Sequence, residues 1–417
     1  MHNIIRVRMD SAEGELLVGL IDTPEFQRLR RVRQLGLAHF AYQGAEHSRF
    51  THSLGVFHLA TRVLAKLSNS YDISDEDRIA VRVATLLHDV GHGAFSHVIE
   101  SILGFHHEDF TVETVLAENT GIGRLLKEYS ADLPKRVADI IRGDFRPMAL
   151  SQLVSSQLDV DRMDYLLRDS MMTGVKYGVF DLEWIIKSLE INEKDDHLYI
   201  SAPGIYAVED YLQARYYMYR QVYFHRTLRA AEAVLHSLLR RALKLHADGK
   251  YVWHVKDTPV ESILRAERLS LDQHLALDDS DVLFHIKRWQ DADDKVLADL
   301  AHRFLNRKLL KAFDLDMPEE ERAEFIDDVR KVVGNAGLDP DYYVLEDRAG
   351  DVAHNFYVKD DSRPKEQIYV EHGFAKPRIN EISEVSAAVR GLQKGYRIHR
   401  VCFPYELMHE IDKIYHA

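Results

Sequence analysis

The chain of 417 residues has a single cysteine, Cys402. One thiol excludes an intramolecular disulfide and any CxxC-type zinc site, so a metal here must be held by histidine and carboxylate. Proline (10) and glycine (21) are sparse beside 46% hydrophobic and 29% charged residues, which excludes a collagen-like, low-complexity or disordered chain. No stretch approaches the ~20 uninterrupted apolar residues that span a bilayer, and MHNIIRVRMD lacks the apolar run of a signal peptide. The expectation is a soluble, cytoplasmic protein without a membrane partner. Basic residues (54) are outnumbered by acidic ones (67), for a net charge of −13. Phosphate attraction is a summed field effect, so this balance disfavours nucleic acid as a partner and leaves a local basic pocket as the place for an anion. What the chain has in excess is histidine, 23 in all, with His88, His92, His97, His106 and His107 inside one short segment.

From about residue 22 to residue 245 the pattern reads as helices joined by short turns. Val56, Ala60, Val63, Leu64 and Leu67 make one apolar stripe at helical spacing, and Ser74 followed by Asp75, Glu76 and Asp77 opens a helix that Gly91 ends. A third helix is expected over 150–172 and a fourth, rich in Tyr and Arg, over 205–245. Further on, helical stretches over 282–313 and 318–333 precede short β-branched and aromatic runs at 342–345, 355–358 and 367–370, the appearance of a small antiparallel sheet. The fold class is therefore mainly α, a helical bundle over 1–315 with a smaller α+β portion over 316–417.

Three separated segments carry the chemistry: RFTHSLG from Arg49, LHDVGHGAFSH from Leu87, and LDVDRMDY from Leu158. Two histidines and two aspartates drawn from different helices suit one divalent ion with positions left open for water and substrate. At 100° per residue, Asp161, Arg162, Tyr165 and Asp169 fall on one helix face roughly 100° wide. Arg215, Tyr219, Tyr223 and Arg226 form a second stripe, of Arg and Tyr rather than apolar residues. Arg49, Arg162 and Arg215 provide cations for the local basic pocket, able to hold an anion by bidentate contacts.

Taken with the stretch DTPEFQRLRRVRQLG from Asp22, these motifs resemble the HD-domain phosphohydrolases. Within them they resemble the deoxynucleoside triphosphate (dNTP) triphosphohydrolases related to the sterile-alpha-motif and HD-domain enzyme, in a prokaryotic form without the sterile-alpha-motif domain. The resemblance spans most of residues 16–315. It implies His52, His88, Asp89 and Asp161 as ligands of one divalent metal, which could be Mn, Fe, Zn, Ni or Mg, with additional Mg carried by the nucleotide. It implies that Arg162 and Tyr165 meet the phosphates, that Asp169 lies near the sugar hydroxyl, that Arg215 binds the triphosphate and that Tyr223 lies beside the sugar or base. Gln34 would bind the 3′-hydroxyl and Leu35 would crowd a 2′-hydroxyl. His92 would donate to the α-phosphate, His107 with Glu108 as its orienting acid would serve proton transfer, and His97 is a second pocket histidine.

The implied reaction is hydrolysis of a dNTP to deoxynucleoside and intact triphosphate by a homo-oligomer. A guanine nucleotide activator bound between subunits is implied at Asp22, Gln27 and Arg30, with His225, Arg226, Arg307 and Lys311 on its phosphates. Two departures from the family pattern stand near these positions or in the motif: Asp10-Ser11-Ala12-Glu13-Gly14 replaces a DPVHG-type opening, and Ala94 stands where proline is usual. Two rival readings keep part of this chemistry. One is an HD-type phosphatase for nucleoside monophosphates or another phosphate ester, and the other a nucleotide-sensing or single-stranded nucleic-acid-binding protein with an incidental metal site.

Overall fold

The structure is a computed structural model that describes the chain except residues 1, 3–4, 96, 251–257, 266–267, 350–366, 374, 393–397 and 417. It opens with α1 (Ala12–Ile21) and α2 (Pro24–Arg28), whose N-cap Thr23 accepts from Phe26 N. An irregular segment then leads to α3 (Arg49–Leu67), and the predicted apolar stripe of this helix is buried. In α4 (Asp75–Leu87), Ser74 caps the N-terminus through Asp77 N, and three acidic residues in the first turn complement the helix dipole. The helix ends at Leu87, ahead of Gly91. Gly91 serves a different purpose: a Cβ there would lie 2.2 Å from the His107 carbonyl oxygen, so only glycine lets this loop pass α6 (His107–Leu116). Between them runs α5 (His97–Leu103). Helices α7 (Gly121–Tyr129) and α8 (Leu133–Arg142) follow, α7 packing on α1 and α8 on α4 and α6.

The single helix expected over 150–172 is two. A short α9 (Met148–Ser151) gives way to a turn, and α10 (Val160–Thr173) starts afresh after Asp159. Asp159 forces the break because its carboxylate accepts from Ser156 N (3.0 Å) and Arg162 N (2.7 Å), an N-cap that competes with continued helix. After α11 (Leu182–Ser188) comes a hairpin that the helical reading passed over, β1 (Leu189–Asn192) and β2 (His197–Ile200). Its signal was the alternation of LEIN and HLYI about a polar turn.

The helix expected over 205–245 is also divided, into α12 (Ile205–Met218), a π-helical turn at Tyr219–Tyr223, and α13 (Arg226–Ala247). The extra residue per turn shifts the register, so Arg226 leaves the Arg and Tyr stripe and pairs with Asp314 instead. Helices α14 (Pro259–Leu264), α15 (Leu271–Leu275), α16 (Asp279–Trp289) and α17 (Lys295–Leu305) precede β3 (Leu310–Asp314), so the last residues of the helix expected to reach Phe313 are strand.

Helix α18 (Glu319–Asn335) matches expectation. The run at 342–345 is divided: Tyr342 and Tyr343 end α19 (Pro340–Tyr343), which Asp339 caps through Asp341 N and Pro340 opens with a pre-set first position, and Leu345 begins a strand. Strand β4 (Leu345–Ala349) follows; the expected run 355–358 lies outside the described residues. Strands β5 (Tyr369–His372) and β6 (Arg378–Glu381), the short helices α20 (Ile382–Val385) and α21 (Ala387–Leu392), β7 (Ile398–Pro404) and α22 (Met408–Tyr415) complete the chain.

The strands form two sheets rather than one. In the first, ordered β1-β2-β5-β6, β5 runs parallel to β2 with Tyr199 opposite Tyr369. In the second, β7 is central and antiparallel to both β3 and β4, with Leu345 opposite Cys402. Both sheets thus join residues before 315 to residues after it. Two buried apolar clusters result, one built on α3, α4, α8, α10 and α12, the other on α5, α13, α16, α17 and the second sheet. Val90 belongs to the first and Ala94 and Phe95 to the second, which places the loop after α4 on the seam between them.

Candidate metal centre and active site

Helices α3, α4 and α10 pack together in the first cluster and bring His52, His88 and Asp161 to one point. His52 Nε2 lies 2.9 Å from Asp161 Oδ1 and 3.7 Å from Asp89 Oδ2, and His88 Nε2 lies 3.4 Å from Asp89 Oδ1 and 3.6 Å from Asp161 Oδ1. The opposite ring nitrogens are engaged: His52 Nδ1 with Asp164 Oδ2 (2.8 Å) and His88 Nδ1 with the Thr85 carbonyl (2.9 Å). With Nδ1 of each ring carrying a proton toward its partner, each Nε2 is the atom that can turn a lone pair to an ion, in place of the second proton that the facing carboxylates otherwise draw there. Both Nε2 atoms are buried and lack an aligned hydrogen-bond partner. Two orphan imidazole lone pairs facing two carboxylates fit a divalent cation and no neutral arrangement of the same side chains.

The electrostatics agree. Burial alone would lower the pKa of His52, but the neighbouring carboxylates of Asp161, Asp164 and Asp89 raise it to about 10, so this point of the site draws positive charge. His88 is raised likewise, against burial, by Asp89 and Asp161. Burial opposes ionisation of Asp89, yet Arg49, His88 and His92 hold its carboxyl well below the usual range. Arg49 Nη1 donates to Asp89 Oδ2 at 2.7 Å. A metal ion competes with protons for the same nitrogen lone pairs.

Asp164, three residues after Asp161, was not singled out in the sequence. It is fully buried and uses both oxygens: Arg168 forks onto it (2.7 and 3.0 Å), His52 Nδ1 takes one oxygen and His2 Nε2 the other (2.6 Å). Gly55 makes room for this network, since a Cβ there would fall 1.9 Å from Asp164 Oδ1.

Beside the candidate metal ligands stands a second group, which shares Asp89 with them. His92 and His107 stack with centroids 3.6 Å apart, and Asp89 Oδ1 is 3.3 Å from His92 Nε2. Burial, with Arg49 and His107 nearby, lowers the His92 pKa to about 3, so this ring is neutral. The acid on His107 is Glu100 of α5, with Oε1 3.0 Å from His107 Nδ1. Glu108, expected in that role, is exposed at the start of α6, where its side chain turns to solvent. His106, the neighbour of His107 in sequence, is also exposed. The side chain of His97 lies outside the described residues.

The loop carrying Asp89 and His92 is fastened at nearly every peptide. Arg28, 1% exposed, donates to the carbonyls of Val90 (2.9 Å), His92 (2.7 Å) and Leu277 (2.7 Å). His274 Nε2 donates to the Gly91 carbonyl (2.6 Å), Thr111 Oγ1 accepts from Gly91 N (3.0 Å), and Asp279 Oδ1 accepts from Phe95 N (2.9 Å). None of Arg28, Thr111, His274 or Asp279 was legible as a site residue, because each acts through a backbone group far away in sequence.

Along α10, Arg162 pairs with Asp159, and Tyr165 approaches the hydroxyl of Tyr219 (3.5 Å). Arg215 is 3% exposed, donates to Gln157 Oε1 (2.5 Å) and lies over the Tyr219 ring. Tyr223, delivered by the π turn, donates to Asp169 Oδ2 (2.8 Å); burial and that carboxylate push its pKa up and keep the hydroxyl protonated. Gln34 N is held by the His47 carbonyl (3.0 Å), and Leu35 packs on the second apolar cluster.

The residues implied for an activator fall in two places. Gln27 Nε2 donates to the Ile21 carbonyl and Arg30 Nε to Gln27 Oε1, both at 2.8 Å, just after Asp22. His225, Arg226, Arg307 and Lys311 instead line a cleft of 810 Å³ together with Arg303 and Lys308.

This geometry defines a metal-dependent hydrolase of the HD class, and comparison with known proteins agrees. Residues 49–169 match the HD domain, and residues 180–336 match the HD associated region. The uncharacterized protein YwfO of Bacillus subtilis is 37% identical over 98% of this chain and 92% of its own length. A crystal structure of a phosphohydrolase from Bacteroides thetaiotaomicron is 31% identical, with a TM-score of 0.81 over 96% of both chains. The deoxynucleoside triphosphate triphosphohydrolase SAMHD1 of Homo sapiens is 31% identical over 51% of this chain, which spans 40% of its length. The chain belongs to the HD-domain phosphohydrolases, in the branch related to the dNTP triphosphohydrolases. Among the described residues, no helix is long and apolar enough to cross a membrane.

Two outcomes follow from this geometry. Replacing Asp164→Asn keeps the shape but weakens the hold on His52 Nδ1, and is expected to lower metal affinity about 10- to 100-fold. Isothermal titration of the chelator-stripped protein with Mn²⁺ reads this, and an unchanged affinity would show that His52 is oriented by something else. Replacing Arg28→Met leaves three buried carbonyls unpaired and is expected to cost on the order of 3 kcal/mol or more in urea unfolding, whereas a surface arginine would cost next to nothing.

Proposed function

We propose that the protein hydrolyses deoxynucleoside triphosphates to a deoxynucleoside and triphosphate at the site built on His52, His88, Asp89 and Asp161. The observation that carries this reading is a set of three guanidinium groups in a protein of net charge −13: Arg49 on Asp89, Arg162 next to Asp161 on α10 and paired with Asp159, and Arg215 over the Tyr219 ring. A monoester with two negative charges does not call for so many cations, whereas a triphosphate carries close to four.

A divalent ion held by His52, His88, Asp89 and Asp161 would supply Lewis-acid polarisation of the α-phosphoryl oxygen and lower the pKa of a bound water. The protein's own groups do the rest. Arg162, Arg215 and Tyr165 hold the phosphate chain and align it, which converts binding energy into orientation. Water adds to the α-phosphorus, the bond from phosphorus to O5′ breaks, and its electron pair leaves on O5′. His107, oriented by Glu100 and stacked on His92, delivers the proton to O5′, while the attacking water loses one, so that one water is added across the bond. His92, kept neutral by burial, donates a hydrogen bond to the α-phosphate without adding charge. Asp169 and Tyr223 face the sugar, Gln34 meets its 3′-hydroxyl and Leu35 crowds the 2′ position.

The cationic cleft of His225, Arg226, Arg307 and Lys311 is the phosphate side of a guanine nucleotide activator site, with Asp22, Gln27 and Arg30 of a second subunit reading the base. Support for this comes from the cleft's chemistry and from the family resemblance. It makes the working form an oligomer.

Incubation of the purified protein with each dNTP, singly and mixed, with Mn²⁺ or Mg²⁺, tests the proposal through product analysis by anion exchange. Deoxynucleoside with intact triphosphate is expected, lost in Arg215→Ala by a factor of about 100 or more. Release of monophosphate from a nucleoside monophosphate, with no triphosphate from any dNTP, would overturn it. Turnover of a single dNTP is expected to rise on adding a guanine nucleotide, and Arg307→Ala to abolish that rise.

A further inference from the structure

His47 sits in the irregular segment before α3 and was not among the residues that the motifs point to. It is 7% exposed, and it makes two contacts that join separate parts of the site. Its Nε2 lies 2.8 Å from Asp169 Oδ1, and its backbone carbonyl accepts from Gln34 N at 3.0 Å. The other oxygen of Asp169 accepts from Tyr223 at 2.8 Å. One residue therefore ties the loop that carries Gln34 and Leu35 to the helix that carries Asp169 and, through it, to Tyr223.

The tie is rigid. Residues 32–34 and 47–49 pair as two short extended segments, with a bridge between Arg33 and Ser48 and a bond from Arg49 N to the Val32 carbonyl at 3.0 Å. Gly44, at the start of the segment, lies so close to α10 that a Cβ would be 2.5 Å from the Met172 carbonyl oxygen. Two buried atoms on either side of this tie, His47 Nδ1 and Gln34 Oε1, have no hydrogen-bond partner among the described residues. With the Nε2 proton given to Asp169, His47 Nδ1 is an acceptor, as is Gln34 Oε1, so this corner has acceptors to spare and calls for hydroxyl donors.

We propose that His47 is a positioning residue for the pentose: it fixes the separation of Gln34 and Asp169 and thereby sets how strongly the site demands a 3′-hydroxyl. This rests on the dNTP reading above. A site built to hydrogen-bond a hydroxyl rejects the analogue that lacks it far more strongly than a loose one, because its own buried acceptors are then left unpaired. Loosening the tie should erode that rejection while leaving phosphate binding and the metal ligands in place.

The test compares kcat/KM for a dNTP and for its 2′,3′-dideoxy analogue in wild type, His47→Ala and His47→Gln, with metal content and melting temperature recorded for each. Glutamine can place an amide nitrogen near the position of Nε2 and donate to Asp169. The expected result is that His47→Ala lowers the preference for the 3′-hydroxyl by on the order of 10-fold or more, mainly through a raised KM for the dNTP, with metal content unchanged, and that His47→Gln recovers most of it. Wild type that turns over dNTPs, with an unaltered preference in His47→Ala, overturns this proposal alone. A fall in both substrates by the same factor in His47→Ala and His47→Gln reduces the residue to a structural one and also overturns it. Wild type without turnover of any dNTP overturns the reading on which it rests and the proposal with it.

Discussion

Buried Asp89 and Asp164 and half-buried Asp161 bring three carboxylates to two imidazoles, and the rest of the site is arranged around that concentration of negative charge. Like charges a few ångströms apart in a poorly solvated interior repel by several kcal/mol unless cations answer them. The chain answers with Arg49 on Asp89 and with Arg168 and His2 on Asp164. The remaining demand falls where His52 Nε2 and His88 Nε2 face Asp89 and Asp161 without an aligned partner, which is where a divalent cation fits.

Holding such a centre requires that the backbone not relax away from it. The loop from His88 to Phe95 crosses from one apolar cluster to the other and has no secondary structure of its own to fix it. Arg28, Thr111, His274 and Asp279 take its carbonyl and amide groups instead, and two of these come from residues beyond 270. The HD associated region thereby supports the candidate site: without α15 and the start of α16, the loop that bears Asp89 and His92 would lose two of its anchors.

The metal-ligand candidates were legible in the sequence because they sit in compact motifs whose residue types admit few other uses, and His52, His88 and Asp161 do converge. The helices that present them were legible for the same reason that most amphipathic helices are, an apolar stripe with a capping residue ahead of it. The breaks were not. Asp159 and the π turn at Tyr219–Tyr223 interrupt stretches whose composition is helical throughout: the first by a local N-cap that outweighs that composition, the second in a turn whose Tyr223 is tied to the distant Asp169. The same holds for Glu100 in place of Glu108: spacing suggested the adjacent acid, but the fold of α5 against α6 supplies one seven residues earlier. The strands were misassigned where a proline-led helical turn at Pro340–Tyr343 looks like a β-branched and aromatic run, and where a single hairpin is embedded in a helical domain.

The claim on which everything else depends is that the buried carboxylates and the orphan imidazole nitrogens hold a metal. Elemental analysis of the purified protein, paired with thermal unfolding before and after chelation, measures it most directly. The account predicts one divalent ion per chain and a fall in melting temperature on its removal, equivalent to roughly 2.7 kcal/mol when the ion is present at 100 times its dissociation constant. A protein that contains no metal, takes none up and melts at the same temperature in chelator and in excess Mn²⁺ would contradict it.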